Sequence, residues 1–261
     1  MESMLVFDRE AVRRHRDRAA GTVELVADVL RDAAERLLDR LDDTNRRFVD
    51  ALDVGGRGVV APLLRARGMR VVSCDLSPAM AALNGGPSVA ADEEFLPFAP
   101  ASFDLIVASL SLHWVNDLPG ALIQLRQALR PEGLLLASLP ALGTLSELRT
   151  ALTEAEAEIA GGASPRVSPF PELRDCAHLL QRAGFTLPVA DVEDIRLLYA
   201  NPFALLTDLR AAGETNAIRQ RARSAPARAL FPAALARLPV EDERVAVTLR
   251  MAVMTGWAPG S

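Results

Sequence analysis

Along the first half of this chain, carboxylates and glycines stand where they could hold a nucleoside. The run Asp53-Val54-Gly55-Gly56-Arg57-Gly58 follows an apolar segment and precedes a helical one. Glycines in such a turn let the backbone approach a ligand, and the helix behind them presents its free N-terminal amides. Asp75 ends the next apolar run, 22 residues after Asp53, where its carboxylate can accept hydrogen bonds from both ribose hydroxyls. Asp92, in AADEEFLPF, would end a short strand over 87–91 and could meet an adenine amino group. Singly these are a tight turn and solvated acids; at successive strand ends they point to nucleoside binding.

Other side chains carry two readings each. His113 and Trp114 follow a later apolar run, where a sheet of this kind opens to substrate. His113 could be a base or orient a substrate, or be a satisfied loop residue beneath a Trp114 that packs over the cofactor. Glu93 and Glu94 could contact a cationic substrate or be solvated acids at a helix start. Arg166, in a Ser-Pro loop, is a lid residue or part of a flexible surface. Met251 and Met254 read as core filler, and Cys74 as an inert thiol in a buried strand. From spacing alone the nucleoside stays open, because Gly56-Arg57-Gly58-Val59-Val60-Ala61 also fits the G-x-G-x-x-A dinucleotide fingerprint and so an NAD(P) oxidoreductase. Against that alternative, Asp53 would set a negative charge beside a pyrophosphate, and no Tyr-x-x-x-Lys hydride-transfer set exists.

The elements that must position these residues alternate. Residues 46–54, 69–75, 102–110 and 133–140 read as strands, and 22–42, 59–67, 77–83 and 117–130 as helices, with Ser77 and Pro78 at the start of the third. Such alternation means right-handed βαβ units and a parallel sheet covered on both faces, an α/β fold. Beyond 140 the pattern loosens: helices over 143–159 and 171–183 flank a Gly/Ser/Pro loop, and a strand starts near Phe185. Residues 201–238 read as broken helix, and 244–257 scores as either strand or helix. We divide the chain into an N-terminal helical segment (1–45), a nucleoside-binding core (46–140) and a helical elaboration with C-terminal strands completing the same domain (141–261).

Composition narrows the chemistry. Half of the 261 residues are hydrophobic and 24% are charged, enough for a sizeable core. A net charge of −5 makes nucleic acid an unsuitable main partner. All 29 basic residues are arginine, which rules out Schiff-base chemistry and a Walker-type P-loop. Two cysteines about a hundred residues apart and three histidines support neither a disulfide framework nor a transition-metal cage. No apolar stretch reaches membrane-spanning length and the start lacks a signal-peptide core, so a cytoplasmic setting is expected, with transient contact at the inner membrane surface.

The segments LDVGGRG, CDLS, ADEEFLPF, FDLIVASLSLHWVNDLP and LRPEGLLL resemble the class I S-adenosylmethionine-dependent methyltransferase family over roughly 46–140. FDR at 7–9, ADEEFLPF at 91–98, SLSLHWVNDLP at 109–119, GGASPRVSPF at 161–170, LLQRAGF at 179–185, DLRAAGETN at 208–216 and GW at 256–257 resemble, more specifically, the complex I assembly factor 5 family. The resemblance implies a seven-stranded sheet whose last strand runs antiparallel, helices on both faces and a helical insertion before that strand. It implies S-adenosylmethionine as cofactor, held by Asp53, Gly55, Gly56, Gly58, Asp75, Leu76, Asp92, Glu93 and Ser109. It also implies a protein substrate, an arginine of a respiratory complex I subunit, methylated or hydroxylated during assembly. We expect His113, Trp114, Asp117 and Glu214 to receive that substrate, with His113 as the catalytic group. Two alternatives are a malonyl-carrier-protein methyltransferase of biotin synthesis, which the core motifs also resemble, and a non-catalytic assembly chaperone. One departure stands out: the family's glycines fall two, four and six residues after the acid, and here they fall two, three and five after Asp53. Either the shortened turn draws away from the methionine moiety, or Val59 and Val60 absorb the slack.

Overall fold

The structure of this protein is a computed structural model that describes residues 5–222 and 224–260. Five strands run parallel: β1 (Asp50–Val54), β2 (Arg70–Asp75), β3 (Ser88–Ala90), β4 (Phe103–Ser109) and β5 (Leu129–Pro140). β6 (Thr186–Tyr199), the two-residue β7 (Val240–Glu241) and β8 (Arg244–Trp257) complete the sheet. The order is β3-β2-β1-β4-β5-β8-β6, with β8 antiparallel to both neighbours and β7 paired to β8. This is the class I methyltransferase arrangement that the resemblance implied, and it settles 244–257 as strand.

Period-two alternation explains why both faces are covered. Leu105, Val107, Leu134 and Leu136 join one core cluster, and Ile106, Ala108, Leu135 and Ala137 the other. The helices, in chain order, are α1 (Arg9–Ala19), α2 (Ala27–Leu38), α3 (Val60–Ala66), α4 (Pro78–Ala82), α5 (Leu118–Ala128), α6 (Ser146–Ala160), α7 (Leu173–Arg182), α8 (Pro202–Ala211) and α9 (Leu230–Leu235). α2 buries Leu30, Ala33, Ala34, Leu37 and Leu38, the i, i+3, i+4, i+7, i+8 stripe of an amphipathic helix, in the first cluster with α3 residues Val60, Ala61 and Leu64. α5 and α7 bring Leu122, Leu125 and Leu180 to the second. α4 starts as expected, with Ser77 Oγ accepting from Met80 N–H at 3.0 Å and Pro78 in its first turn.

Three boundaries differ from the sequence expectation. β1 begins at Asp50 rather than 46, because the N–H groups of Val49 and Asp50 donate to the Asp104 carboxylate, at 3.2 and 3.0 Å. β5 begins at Leu129, where it pairs Phe103 across a register shift. The stretch between residue 140 and the last strand is not one helical insertion, since β6 crosses it as an edge strand paired to β8 along nearly its whole length. The elaboration is therefore split, α6 and α7 before β6 and α8 and α9 after it.

Candidate active site at the carboxyl ends of the strands

β1 delivers Asp53, fully buried, into the glycine turn. Gly55 bends the chain at φ +69 and its N–H donates to Cys74 O at 2.8 Å. A Cβ there would lie 2.6 Å from Ser111 Cβ and 3.4 Å from Arg16 Nη1, so only glycine fits. A Cβ on Gly56 would run into the Asp53 carboxylate. The shortened turn puts its strain on Arg57, a non-glycine residue at φ +51, and not on Val59 and Val60; α3 simply begins at Val60. Arg57 Nη2 donates at 2.9 Å to the carbonyl of Leu110, itself left-handed at φ +49. Such residues cost about 1–3 kcal/mol each and persist where surrounding contacts dictate them, most often at functional sites.

Asp75 ends β2 as expected, 1% exposed. Its Oδ1 accepts from Ser77 N–H at 2.8 Å and its Oδ2 from Arg16 Nη1 at 3.2 Å. Arg16, on α1 and also 1% exposed, further donates to Glu93 Oε1 at 3.1 Å and to Ser111 O at 3.2 Å. Arg9, two turns earlier on the same face of α1, pairs with Glu93 and with Asp92 at 2.6 Å. α1 is thus latched onto the carboxylates that sequence spacing reserves for a nucleoside. Burial, and next the negative charge of Asp75, push the Asp53 carboxyl up to about 7. Burial likewise raises Asp75, against the opposing pull of Arg16.

Glu214, in the loop after α8, makes the third pole. Its Oε2 accepts from Trp114 Nε1 and is hydrogen-bonded to His113 Nε2, both at 2.7 Å, while its Oε1 pairs with Arg57. Burial would raise this carboxyl, but the imidazole of His113 and the guanidinium of Arg57 outweigh burial and hold it well below the usual carboxylate range. Asn116 fastens the N-terminal segment alongside, accepting from Phe7 N–H at 2.8 Å while its own N–H donates to Glu94 Oε1 at 2.8 Å. Beyond this pole lies a cavity of about 290 Å³, walled by α6, α8 and α9 residues and reaching Arg57, His113, Trp114 and Glu214.

Asp53, Gly55, Gly56, Gly58, Asp75, Asp92 and Glu93 therefore gather around the glycine turn and α1, and His113, Trp114 and Glu214 around one carboxylate. Ser109 is buried at the end of β4, paired with Ser138, and Leu76 packs on the Phe7–Trp114 cluster. Asp117 does not join Glu214; it is exposed at the start of α5, where its carboxylate accepts from Gly120 N–H at 2.9 Å, the ordinary role of an N-cap aspartate. Nor is Glu214 open to an incoming guanidinium, because three internal partners occupy it. Arg166 pairs with Glu156 and lines the cavity rather than projecting as a free lid residue. Sequence reasoning missed Arg9, Arg16, Arg57 and Ser111. Its available signals were the arginine run of RRHRDR and an arginine inside a glycine turn.

A family model described as a methyltransferase domain matches residues 24–188. Mitochondrial arginine-hydroxylase NDUFAF5 from Homo sapiens is 39% identical, over 97% of this chain and 76% of the human protein. The malonyl-[acyl-carrier protein] O-methyltransferase of Methylovorus sp. is 34% identical, over 97% of this chain and 90% of that protein. Among solved structures, the YcgJ protein from Bacillus subtilis shares the fold with a TM-score of 0.59 at 12% identity, covering 87% of this chain and 99% of that one.

Proposed function

This chain belongs to the methyltransferase-domain family, and from that premise we propose that it is an S-adenosylmethionine-dependent enzyme that modifies a protein-borne arginine during assembly of respiratory complex I. The observation that carries this reading is convergence. The segments that resemble the assembly-factor family, at 7–9, 91–98, 109–119 and 208–216, are distant in sequence yet meet through Phe7–Asn116, Arg9–Glu93, Asn116–Glu94 and His113–Glu214 contacts. A relative of 39% identity that spans nearly the whole chain and is named an arginine-hydroxylase supports the substrate.

The cleft's own atoms fit the cofactor. Among the described residues, Asp53 Oδ1, Ser111 Oγ and Arg16 Nε are buried without a hydrogen-bond partner, and polar groups left so are costly unless a ligand or water completes them. Asp75 would take the ribose hydroxyls once Arg16 turns aside, and Asp92 the adenine. Bound there, S-adenosylmethionine supplies a methyl group already activated on a sulfonium, so alignment and exclusion of water are what the protein must provide.

Glu214 is a positioning residue. By fixing His113 at Nε2 it leaves Nδ1, also buried and unpartnered, to act as base toward the acceptor. Asp117, exposed three residues beyond Trp114, is free to meet a substrate cation at the rim. Intact-mass measurement of complex I subunits from a deletion strain tests the reading. Loss of one methylene's mass from a subunit means methylation, and loss of one oxygen's mass means hydroxylation. Unchanged masses with failed assembly would replace catalysis by a chaperone role.

A second reading, methylation of a malonyl carrier protein, has its own support. The Methylovorus relative is 34% identical and aligns over 90% of its length. Methyl ester formation on purified malonyl carrier protein would establish it in place of the arginine reading.

A further inference from the structure

We propose that the cavity between α6, α8 and α9 takes the alkyl chain of a medium-chain fatty carboxylate, its carboxylate left at the mouth beside Arg210. This goes beyond the protein-substrate reading and relies on none of its polar groups; Asp117, the rim acid of that reading, does not line the cavity. The wall is built from Leu148 and Leu152 of α6, Leu205 of α8, Leu110 after β4 and Leu30 of α2, all buried, with Phe231 of α9 beside them. Interiors are packed to the density of organic crystals, with few gaps larger than a water molecule. A cavity of about 290 Å³ between buried leucines is therefore a place for a ligand and not a packing defect.

Volume sets the size of the occupant. An apolar cavity of about 150 Å³ stays dry and accepts benzene. This one, at about 290 Å³, has roughly twice the room and suits a chain of roughly ten to twelve carbons. One leucine or phenylalanine side chain from a docked peptide would leave much of it empty. Exposure sets the way in. The residues that line the cavity are buried or half-buried except Arg210, which is exposed in the last turn of α8. Arg210 therefore marks the mouth, and an unbranched chain enters there end-on with its polar end still in water. Charge sets that polar end. Thr144 Oγ1 donates to Arg250 O at 2.6 Å, Asn216 Nδ2 donates to Pro165 O at 2.8 Å, and Arg166 pairs with Glu156. Asp208 lies beside the Tyr199 hydroxyl, and Glu214 is held by His113, Trp114 and Arg57. Among the described residues, the Arg210 guanidinium has no carboxylate partner, and a carboxylate is the group whose two oxygens match its fork of N–H donors.

Calorimetric titration of the ligand-free full chain tests this. From hexanoate through octanoate to decanoate the dissociation constant should fall roughly fourfold per added methylene, the burial of one CH2. The gain should stop by about fourteen carbons, where the cavity is full. Val167→Phe, which puts a larger side chain into the lining, should bring that limit to a shorter chain. Decyltrimethylammonium should bind more weakly than decanoate, and Arg210→Gln should weaken decanoate about two- to fivefold while leaving decan-1-ol unchanged. Absence of saturable heat, an affinity indifferent to chain length, a gain that continues past about fourteen carbons, decyltrimethylammonium as tight as decanoate, or undiminished decanoate binding in Arg210→Gln would each overturn the inference. A parallel titration with S-adenosylmethionine separates the two proposals: decanoate binding without cofactor binding would refute the enzyme reading and leave the cavity assignment standing, and the reverse would do the opposite.

Discussion

Replacing Glu214 with glutamine keeps the side chain's shape and removes its charge, and three donors lose their acceptor's charge at once. Arg57 suffers most, because its side chain is 2% exposed and Glu214 is its carboxylate partner. Breaking a buried pair from one side costs about 3–5 kcal/mol. Glu214 itself is 19% exposed, so some water reaches the pair and the lower figure applies, about 3 kcal/mol. For a chain of this size that is a fall in Tm of roughly 6–12 °C. The pH dependence has a definite sign. The folded carboxyl lies below its ordinary value of 4.5, so its contribution is complete above that value and fades as pH falls through the range below it. Guanidinium unfolding at pH 7 and again near pH 3 should therefore show a gap between wild type and Glu214→Gln that shrinks on acidification. Arg57→Met combined with Glu214→Gln should recover part of the loss, since no buried cation is left unpaired. A Glu214→Gln protein within about 1 kcal/mol of wild type at pH 7, or a gap unchanged at acid pH, would refute the claim that this carboxylate ties the glycine turn, the His113 segment and the α8 loop together.

Asp53 makes the opposite prediction: its carboxyl is raised to about 7, so folding is penalised as pH climbs from 3.8 towards that value. Asp53→Asn should be more stable than wild type by about 1–3 kcal/mol at pH 8 and nearly equal to it at pH 4; urea unfolding at the two values decides it, and a destabilised variant at pH 8 would count against it. Burial raises both thiols, Cys74 well above its ordinary value and Cys176 to about 11. Ellman's reagent at pH 8 should accordingly find no fast-reacting thiol in the native protein and two after unfolding, and a rapid native reaction at either would contradict their placement.

The core was legible because buried strands write themselves as apolar runs: 102–110 and 133–140 alternate between two faces and can serve only a sheet covered on both sides. The acids at strand ends were legible for the same reason, since a strand's end fixes where the next residue points. What periodicity could not carry was the third dimension of the site. Arg16 meets Asp75 and Glu93 across 59 and 77 residues of chain, and Glu214 meets His113 across 101. Such pairings depend on where α1 and the α8 loop come to rest, which no local pattern encodes. Asp117 shows the converse: expected beside Glu214, it stands before Leu118-Pro119 as an exposed helix cap, a position set by α5 and not by the neighbouring HWVN motif. β6 was legible only at its start, near Phe185, because its burial is uneven along an edge strand and it lacks the clean alternation of the central strands.

Calorimetric titration with S-adenosylmethionine tests the central claim most directly, that a glycine turn one residue short still opens onto a cofactor site once Arg16 releases Asp75. The account predicts saturable heat with wild-type protein, and affinity weaker by about 1–3 kcal/mol in Asp75→Ala through loss of the ribose hydrogen bonds. No heat at millimolar ligand, or equal affinity in Asp75→Ala, would contradict it.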